Sequence, residues 1–175
     1  NDFIFFTGDS QAQTIEGQYD VASCILDFAE KNNVKIIVTI GGYRKEVEET
    51  PKVMVAATNP ELLNKALQTK AMVSSAGNPI VGTAGLLLGL SRFRKIDAIC
   101  LLGETRGYLP DPRAAKSILE VLQKMLKIKV DLSGLDKEIG KSEKIVERMQ
   151  KIEERRETYA RKMRRVEEER ITYIS

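Results

Sequence analysis

Histidine and tryptophan are absent from the 175 residues, and only two cysteines are present. Without histidine the chain lacks the commonest zinc ligand, the usual general base near neutral pH, and every Ser-His or Cys-His nucleophile pair. These absences argue against most familiar hydrolase mechanisms. The cysteines, Cys24 and Cys100, both lie within apolar runs, which predicts buried thiols in a reducing cytosol and not a disulfide.

Long hydrophobic runs are also missing. A membrane-spanning helix needs about 18 consecutive apolar residues, whereas the longest candidate, residues 80–90, is interrupted by Gly82, Gly85 and Gly89. We therefore expect a cytoplasmic protein that does not enter a membrane.

The first residues lack the layout of a signal peptide. Asn1 stands where an initiator methionine would be expected, and the apolar residues 3–7 follow almost at once. Because a signal peptide places positive charge before its apolar segment, residues 3–7 are instead predicted to form a buried strand. The chain is expected to begin partway through a domain.

Neither sign of charge dominates. The chain has 28 Lys and Arg against 25 Asp and Glu, a net charge of +3. Residues 136–170 are very polar but balanced, with 12 basic and 10 acidic side chains in 35 residues. A nucleic-acid-binding surface would show a sustained excess of one sign, so no nucleic-acid partner is predicted.

Short β-rich runs alternate with helical patterns through residue 132. This order is typical of βαβ units, which form a largely parallel sheet with helices on its faces. The predicted strands are residues 3–7, 34–40, 53–58, 72–74 and 98–102. Helices are predicted over 16–31 and 80–92, and after the Asn59-Pro60 and Asp111-Pro112 pairs, because a capping residue followed by proline is a common helix start.

Residues 133–175 are predicted to form a separate helical arm, in which a helix of 35 residues would extend about 50 Å. Its apolar residues recur at alternating intervals of four and three, which indicates a helix face that contacts another surface. These seam residues are Ile145, Met149, Ile152, Tyr159, Met163 and Val166, with Arg156 and Arg170 at equivalent positions. The last apolar residues, Ile171, Tyr173 and Ile174, could dock on a partner. The alternative is a helix that folds back on its own domain.

A ligand crevice is a second candidate site. In open parallel sheets, ligands bind beyond the carboxyl ends of the strands, and the residues predicted there are Asp9, Gly41, Gly42, Asn78, Gly82 and Glu104. Turn geometry alone would also explain these glycines. Gly77 and Gly82 have the spacing of a phosphate-binding loop, but Thr83-Ala84 replaces its Lys-Ser/Thr pair.

Four carboxylates are candidates for acid–base chemistry, namely Asp9, Glu16, Glu104 and Asp111. A structural role explains two of them, because Asp111 can cap a helix and Glu16 lies where an acid favours the helix dipole. No residue in the sequence supplies an activated nucleophile, and no cofactor or metal is predicted.

Several phrases together resemble the archaeal proteasome-assembly-chaperone family across residues 3–127. They are residues 7–13 (TGDSQAQ), 16–19 (EGQY), 40–43 (IGGY), 79–82 (PIVG) and 101–108 (LLGETRGY). The resemblance implies a three-layer α/β/α sandwich like that of nucleoside phosphorylases, with a mainly parallel sheet and a long C-terminal helical extension. It also implies a protein without catalysis or cofactor, a homo-oligomer for which a tetramer is one candidate, and contact with proteasome α subunits.

The sequence departs from that family at both ends. Family members usually have further strands and a glycine-rich loop before the position of Phe3. Their docking tails end in a hydrophobic residue, Tyr and one more residue, whereas here Tyr173 is followed by Ile174 and Ser175. The chain therefore resembles the variety without that motif, and its arm is expected to hold the proteasome or a client along the helix.

Overall fold

The computed structural model describes residues 2–45, 50–73 and 79–172, and it describes side chains as far as residue 160. Contacts divide the chain into two units, Asn1–Asp131 and Leu132–Ser175. The first unit, here called the body, contains a sheet and its helices. The second unit consists almost entirely of one helix.

The body alternates helices and strands. Its helices are α1 (Ile15–Lys31), α2 (Pro60–Leu67), α3 (Thr83–Ser91) and α4 (Pro112–Leu126), with a short 3-10 turn at Arg92–Arg94. Its strands are β1 (Ile36–Arg44), β2 (Val53–Ala57), β3 (Ala71–Val73) and β4 (Asp97–Thr105). The predicted α/β class is confirmed.

The four strands form one sheet in the order β1-β4-β2-β3. β1 lies parallel to β4, with Ile36 opposite Asp97 and Arg44 opposite Thr105. β2 and β3 are also parallel, but β2 runs antiparallel to β4. The sheet is therefore mixed, and the carboxyl ends of β1 and β4 lie beside the amino ends of β2 and β3.

Helices cover both faces of the sheet. One core joins β2 and β4 to α2 and α4, and it includes Ile99, Leu101 and Ile118, while Val38 packs at its margin. A second core joins α1 and α3, and Ile37 packs against it. Because adjacent strand residues point to opposite faces, Ile37 and Val38 assign the two cores to opposite sides of the sheet.

The helix starts are set by local hydrogen bonds. Oδ1 of Asn59 accepts from the backbone N–H of Leu62 at 2.9 Å. Oδ1 of Asp111 accepts from Arg113 N at 3.1 Å and from Ala114 N at 3.2 Å. Both capping predictions are confirmed, and each cap satisfies N–H groups that have no partner within the helix.

The predicted strand at residues 3–7 is wrong. The described structure has no secondary structure there, and Phe5 and Phe6 are exposed. The rings instead contact one another or α1, with 6.3 Å between the centroids of Phe3 and Phe5 and 6.1 Å between those of Phe6 and Phe28. Apolar composition favours burial, but a strand also needs a neighbouring strand for its backbone groups.

The prediction that both thiols are buried is confirmed for Cys100 and is wrong for Cys24. Cys100 is buried in the sheet as predicted, and burial raises its pKa. Cys24 is exposed, because α1 buries Ala22, Leu26 and Ala29, and residue 24 lies on the opposite side of the helix.

The second unit contains α5 (Ser133–Thr172), which has 40 residues and a length of about 60 Å. The predicted long helix is confirmed. No helix in the described part of the chain combines the length and apolar character needed to cross a bilayer.

Candidate functional site

The apolar stripe on α5 is exposed. Ile145, Met149, Ile152 and Tyr159 have 48%, 52%, 55% and 68% of their surface accessible to solvent. Their separations of four, three and seven residues place them along one side of the helix. A stripe of large apolar side chains that is half exposed or more in a single chain is typical of an interaction surface.

Arg156 interrupts this stripe between Ile152 and Tyr159. These three residues line a shallow groove together with Arg155 and Ala160. The aliphatic part of an arginine can cover apolar surface while its guanidinium stays in water. The stripe can therefore remain continuous in spite of the charge.

The remaining predicted arm residues lie further along the chain. Met163, Val166 and Ile171 lie on the helical backbone of α5, beyond the described side chains. Tyr173 and Ile174 lie outside the described residues.

The candidate crevice residue Glu104 is buried near the end of β4, with 5% of its surface accessible. Its Oε1 accepts from Nζ of Lys45 at 3.1 Å, and its Oε2 accepts from the backbone N–H of Lys52 at 3.0 Å. The backbone N–H of Glu104 donates to the carbonyl of Lys52 at 2.9 Å. These bonds join the residue that follows β1, the residue that precedes β2, and β4.

The pKa of Glu104 lies below its ordinary value. Burial is the largest single influence and opposes ionisation, but the hydrogen bond from Lys52 and the bond and charge of Lys45 together outweigh it. A carboxylate that is ionised and has a partner at each oxygen is poorly suited to act as a general acid or to bind another donor. Glu104 therefore has a structural role.

Gly41 and Gly42 were expected in a loop beyond the strand, and that expectation is wrong. Both lie within β1, where Gly42 is opposite Gly103 and Gly41 is opposite Leu102. A Cβ at Gly41 would lie 2.9 Å from Cδ2 of Leu102. The glycine there permits close side-chain packing within the sheet and does not form a ligand loop.

Gly82 belongs to a different contact, at the start of α3. It has φ +83°, and a Cβ there would overlap the carboxamide of Gln11. Oε1 of Gln11 accepts from the backbone N–H of Thr83 at 3.4 Å. Asp9 is exposed two residues before Gln11, and Asn78 lies outside the described residues.

The direction of β3 further weakens the predicted crevice. β3 runs parallel to β2, and β2 runs antiparallel to β4. The carboxyl ends of β3 and β4 therefore lie at opposite ends of the strands in the sheet. Of the predicted crevice residues, the described contacts therefore bring together only Gly41, Gly42 and Glu104.

Sequence reasoning missed the basic residues at this end of the sheet. Lys45 and Lys52 hold Glu104, and the Arg44 guanidinium carbon lies 5.0 Å from the ring centre of Tyr108. Nη2 of Arg44 also donates to the hydroxyl of Tyr108 at 3.1 Å. The phrase that contains Glu104 and Tyr108 was a usable signal, but its partners depend on the register of β1 against β4.

The other two acidic candidates have the structural roles expected for them. Asp111 caps α4, and Glu16 lies in the first turn of α1. Among the residues with described side chains, no three His, Cys, Asp or Glu side chains form a group that could hold a metal ion.

Comparison with known proteins identifies the family. The model of the PAC2 family matches residues 1–152. A Methanocaldococcus jannaschii protein, MJ1210, is 37% identical over 153 residues, which is 86% of this chain and 59% of that protein.

Solved structures agree with this match. PbaB of Pyrococcus furiosus, described as an archaeal proteasome activator, is 33% identical with a TM-score of 0.77, and the match covers 82% of this chain and 63% of that one. PbaA of the same organism, described as an archaeal homolog of proteasome-assembly chaperone, is 29% identical with a TM-score of 0.70, over 89% and 64% of the two chains. The chain thus spans about three fifths of the length of these relatives. It belongs to the PAC2 family.

Proposed function

We propose that this protein is a non-enzymatic, cytoplasmic homologue of proteasome-assembly chaperones. In this proposal residues 1–132 form a core and residues 133–175 form an arm. The core assembles into a homo-oligomer, for which a tetramer is one candidate, and the arms contact proteasome α subunits along the helix. The similarity to PbaA and PbaB, which are described as a homolog of proteasome-assembly chaperone and a proteasome activator, supports this choice of partner.

The observation that carries the proposal is the exposed apolar stripe on α5. Ile152 and Tyr159 are 55% and 68% accessible on a helix that is otherwise highly charged. Such a stripe is stabilised when a partner removes it from water, at about 25 cal/mol for each Å² of apolar surface. A long helix with one apolar side suits recognition of a polypeptide.

The alternative is a nucleoside- or nucleotide-binding protein or enzyme that uses the crevice at the carboxyl ends of the strands, and the contacts of the body do not favour it. Glu104, the one buried carboxylate among the crevice candidates, already has Lys45 and Lys52 as partners. Gly41 and Gly42 are strand residues. A nucleotide would therefore have to displace contacts that connect three strands.

Binding to α subunits tests the proposal. We expect the Ile152→Ser/Tyr159→Ser double variant of the full chain to lose most binding in a pull-down or by native mass spectrometry. The matched control is Glu154→Ser/Thr158→Ser, which changes two exposed residues of the same helix outside the stripe. Equal binding by the two variants would refute the role of the arm.

A thermal-shift screen tests the alternative. A ligand that binds only the folded protein stabilises it by mass action and therefore raises Tm. At a free concentration 100 times its Kd, the free energy of unfolding rises by about 2.7 kcal/mol. We expect no shift with nucleosides or nucleotides. A shift that disappears in Glu104→Gln would support the crevice.

A further inference from the structure

The charges beside the stripe on α5 indicate which surface it contacts. With Met149 and Arg156 at the a positions of a heptad, the d positions are Ile145, Ile152 and Tyr159. Arg148 and Arg155 then occupy the flanking g positions. The flanking e positions are held by Glu153 and Ala160.

A parallel pair of these helices would be complementary in charge. In a parallel coiled coil, each g residue faces the e residue five positions later in the partner. Arg148 would face Glu153 of the second copy, twice by symmetry, and Arg155 would face the neutral Ala160. The sequence repeats the favourable spacing at Lys162 and Glu167.

An antiparallel pair would be opposed in charge. There g faces g and e faces e, so the basic residues at 148, 155 and 162 would face one another in any register that overlaps them. In the register that sets Met149 against Tyr159, Arg155 would also face its own copy. Like charges at such positions are destabilising, so the flanking residues favour the parallel arrangement.

Arg156 helps to fix the number of helices and their register. At an a position of a two-stranded coil, its guanidinium can reach solvent while its aliphatic part packs. A third or fourth helix would separate the guanidinium of Arg156 from solvent. The aligned pair sets the two Arg156 side chains in one layer, where each guanidinium can turn away from the other into solvent, whereas a shift by one heptad would place arginine in two layers of the seam. This residue therefore favours an in-register pair at a cost in stability.

We propose that α5 pairs with α5 of a second copy of this chain, in parallel and in register, along residues 145–159. The pairing rests on the proposed homo-oligomer, which would hold two arms at a high effective concentration, but it does not depend on proteasome binding. It assigns the stripe at residues 145–159 to self-association, and the loss of α-subunit binding expected for Ile152→Ser/Tyr159→Ser would then follow from loss of the paired arms.

Charge reversal tests the orientation of the pair in the full chain. Arg148→Glu should weaken association about 4- to 30-fold, because two attractive pairs become repulsive, and adding Glu153→Arg should restore it. The matched control is Lys151→Glu, which reverses a charge in the same turn at an outward position and should leave association unchanged. Sedimentation equilibrium measures all four proteins. Stronger or unchanged association of Arg148→Glu would overturn the parallel pairing.

A disulfide gives a local measurement that does not depend on oligomerisation of the body. In a Cys24→Ser background, Ile152→Cys should form an intermolecular disulfide in a glutathione redox buffer, because d residues face each other in a parallel pair. Glu154→Cys on the outer face is the control and should remain reduced. Equal cross-linking of the two, or none at Ile152→Cys, would overturn the proposal.

α-subunit binding by the Ile152→Cys protein in the Cys24→Ser background distinguishes this inference from the proposed function. Binding of α subunits by the cross-linked protein supports both. A disulfide without α-subunit binding refutes the proposed function and leaves the pairing intact. Binding of α subunits without the disulfide refutes the pairing alone.

Discussion

Glu104 offers a sharp test of how the body is held together. Its carboxylate accepts a backbone hydrogen bond from Lys52 and a side-chain bond from Lys45. The Lys45 side chain is 54% exposed, whereas that of Glu104 is 6% exposed. Water screens the ion pair with Lys45, so we expect the bond from the Lys52 backbone to contribute more to the free energy of unfolding.

Glu104→Gln removes the negative charge and turns one acceptor into a donor beside the Lys45 ammonium. Hydrogen bonds to a charged group contribute about 1.5–3 kcal/mol, so we expect a loss of about 2 kcal/mol in the free energy of unfolding. That corresponds to a fall of about 4–8 °C in Tm for a chain of this size. The control Lys45→Gln should lose less than about 1 kcal/mol. Urea unfolding at pH 7 measures both.

The pH dependence gives an independent check on the same side chain. The pKa of Glu104 is lowered in the folded state, so its contribution to stability is present above the ordinary glutamate pKa of about 4.3. It is lost as the pH falls through the lower, folded value. The difference between the wild type and Glu104→Gln should therefore shrink below about pH 4. A difference that grows on acidification, or a larger loss in Lys45→Gln than in Glu104→Gln, would refute this account.

Four further predictions concern the body. Asp111→Ala should lower the free energy of unfolding by about 1 kcal/mol in urea, because it removes the cap of α4. Gly103→Ala should cost about 1–3 kcal/mol because its Cβ would lie 3.2 Å from a backbone oxygen. In the same assay Gly89→Ala, in a helix with nothing within 4 Å, should gain about 0.5–1 kcal/mol. Iodoacetamide should label Cys24 in the native protein and leave Cys100 unmodified until it unfolds, as mass spectrometry can show.

The features that could be predicted from the sequence are those set by neighbouring residues. Asn59 and Asp111 cap their helices through bonds to residues two or three positions away, so the sequence contains both partners within one turn. The stripe on α5 is likewise visible as a period along one helix. Such predictions need no knowledge of which elements meet in space.

Predictions that required the pairing of strands fared less well. Residues 3–7 have the composition of a strand, yet no described strand pairs with them. β1 was predicted to end at residue 40, but it continues to Arg44 because β4 offers partners as far as Thr105. The glycines at 41 and 42 favour a turn, but pairing with the parallel strand β4 keeps both residues within β1.

The candidate site shows the same division. Glu104 was identified as a notable carboxylate, but its role depends on Lys45 and Lys52, which are 59 and 52 residues away along the chain. The Lys45 contact depends on the parallel register of β1 against β4, and the Lys52 contact depends on β2 running antiparallel to β4. A mainly parallel sheet, as predicted, would gather several loop residues at one end of the strands, whereas the observed directions place the carboxyl ends of β2 and β3 at the other end.

The two candidate surfaces differ in whether their side chains already have partners within a single chain. At the end of β4, a buried carboxylate has found donors within its own body, and adding a ligand there would require breaking bonds that already exist. On α5, Ile152 and Tyr159 remain more than half exposed, so covering them costs no existing contact and removes apolar surface from water. The gain in free energy that can drive recognition therefore lies on the helix and not at the end of the sheet. By this reasoning a chain with Glu104→Gln should still bind the proposed protein partners when folded, whereas Ile152→Ser/Tyr159→Ser should stay folded and lose them.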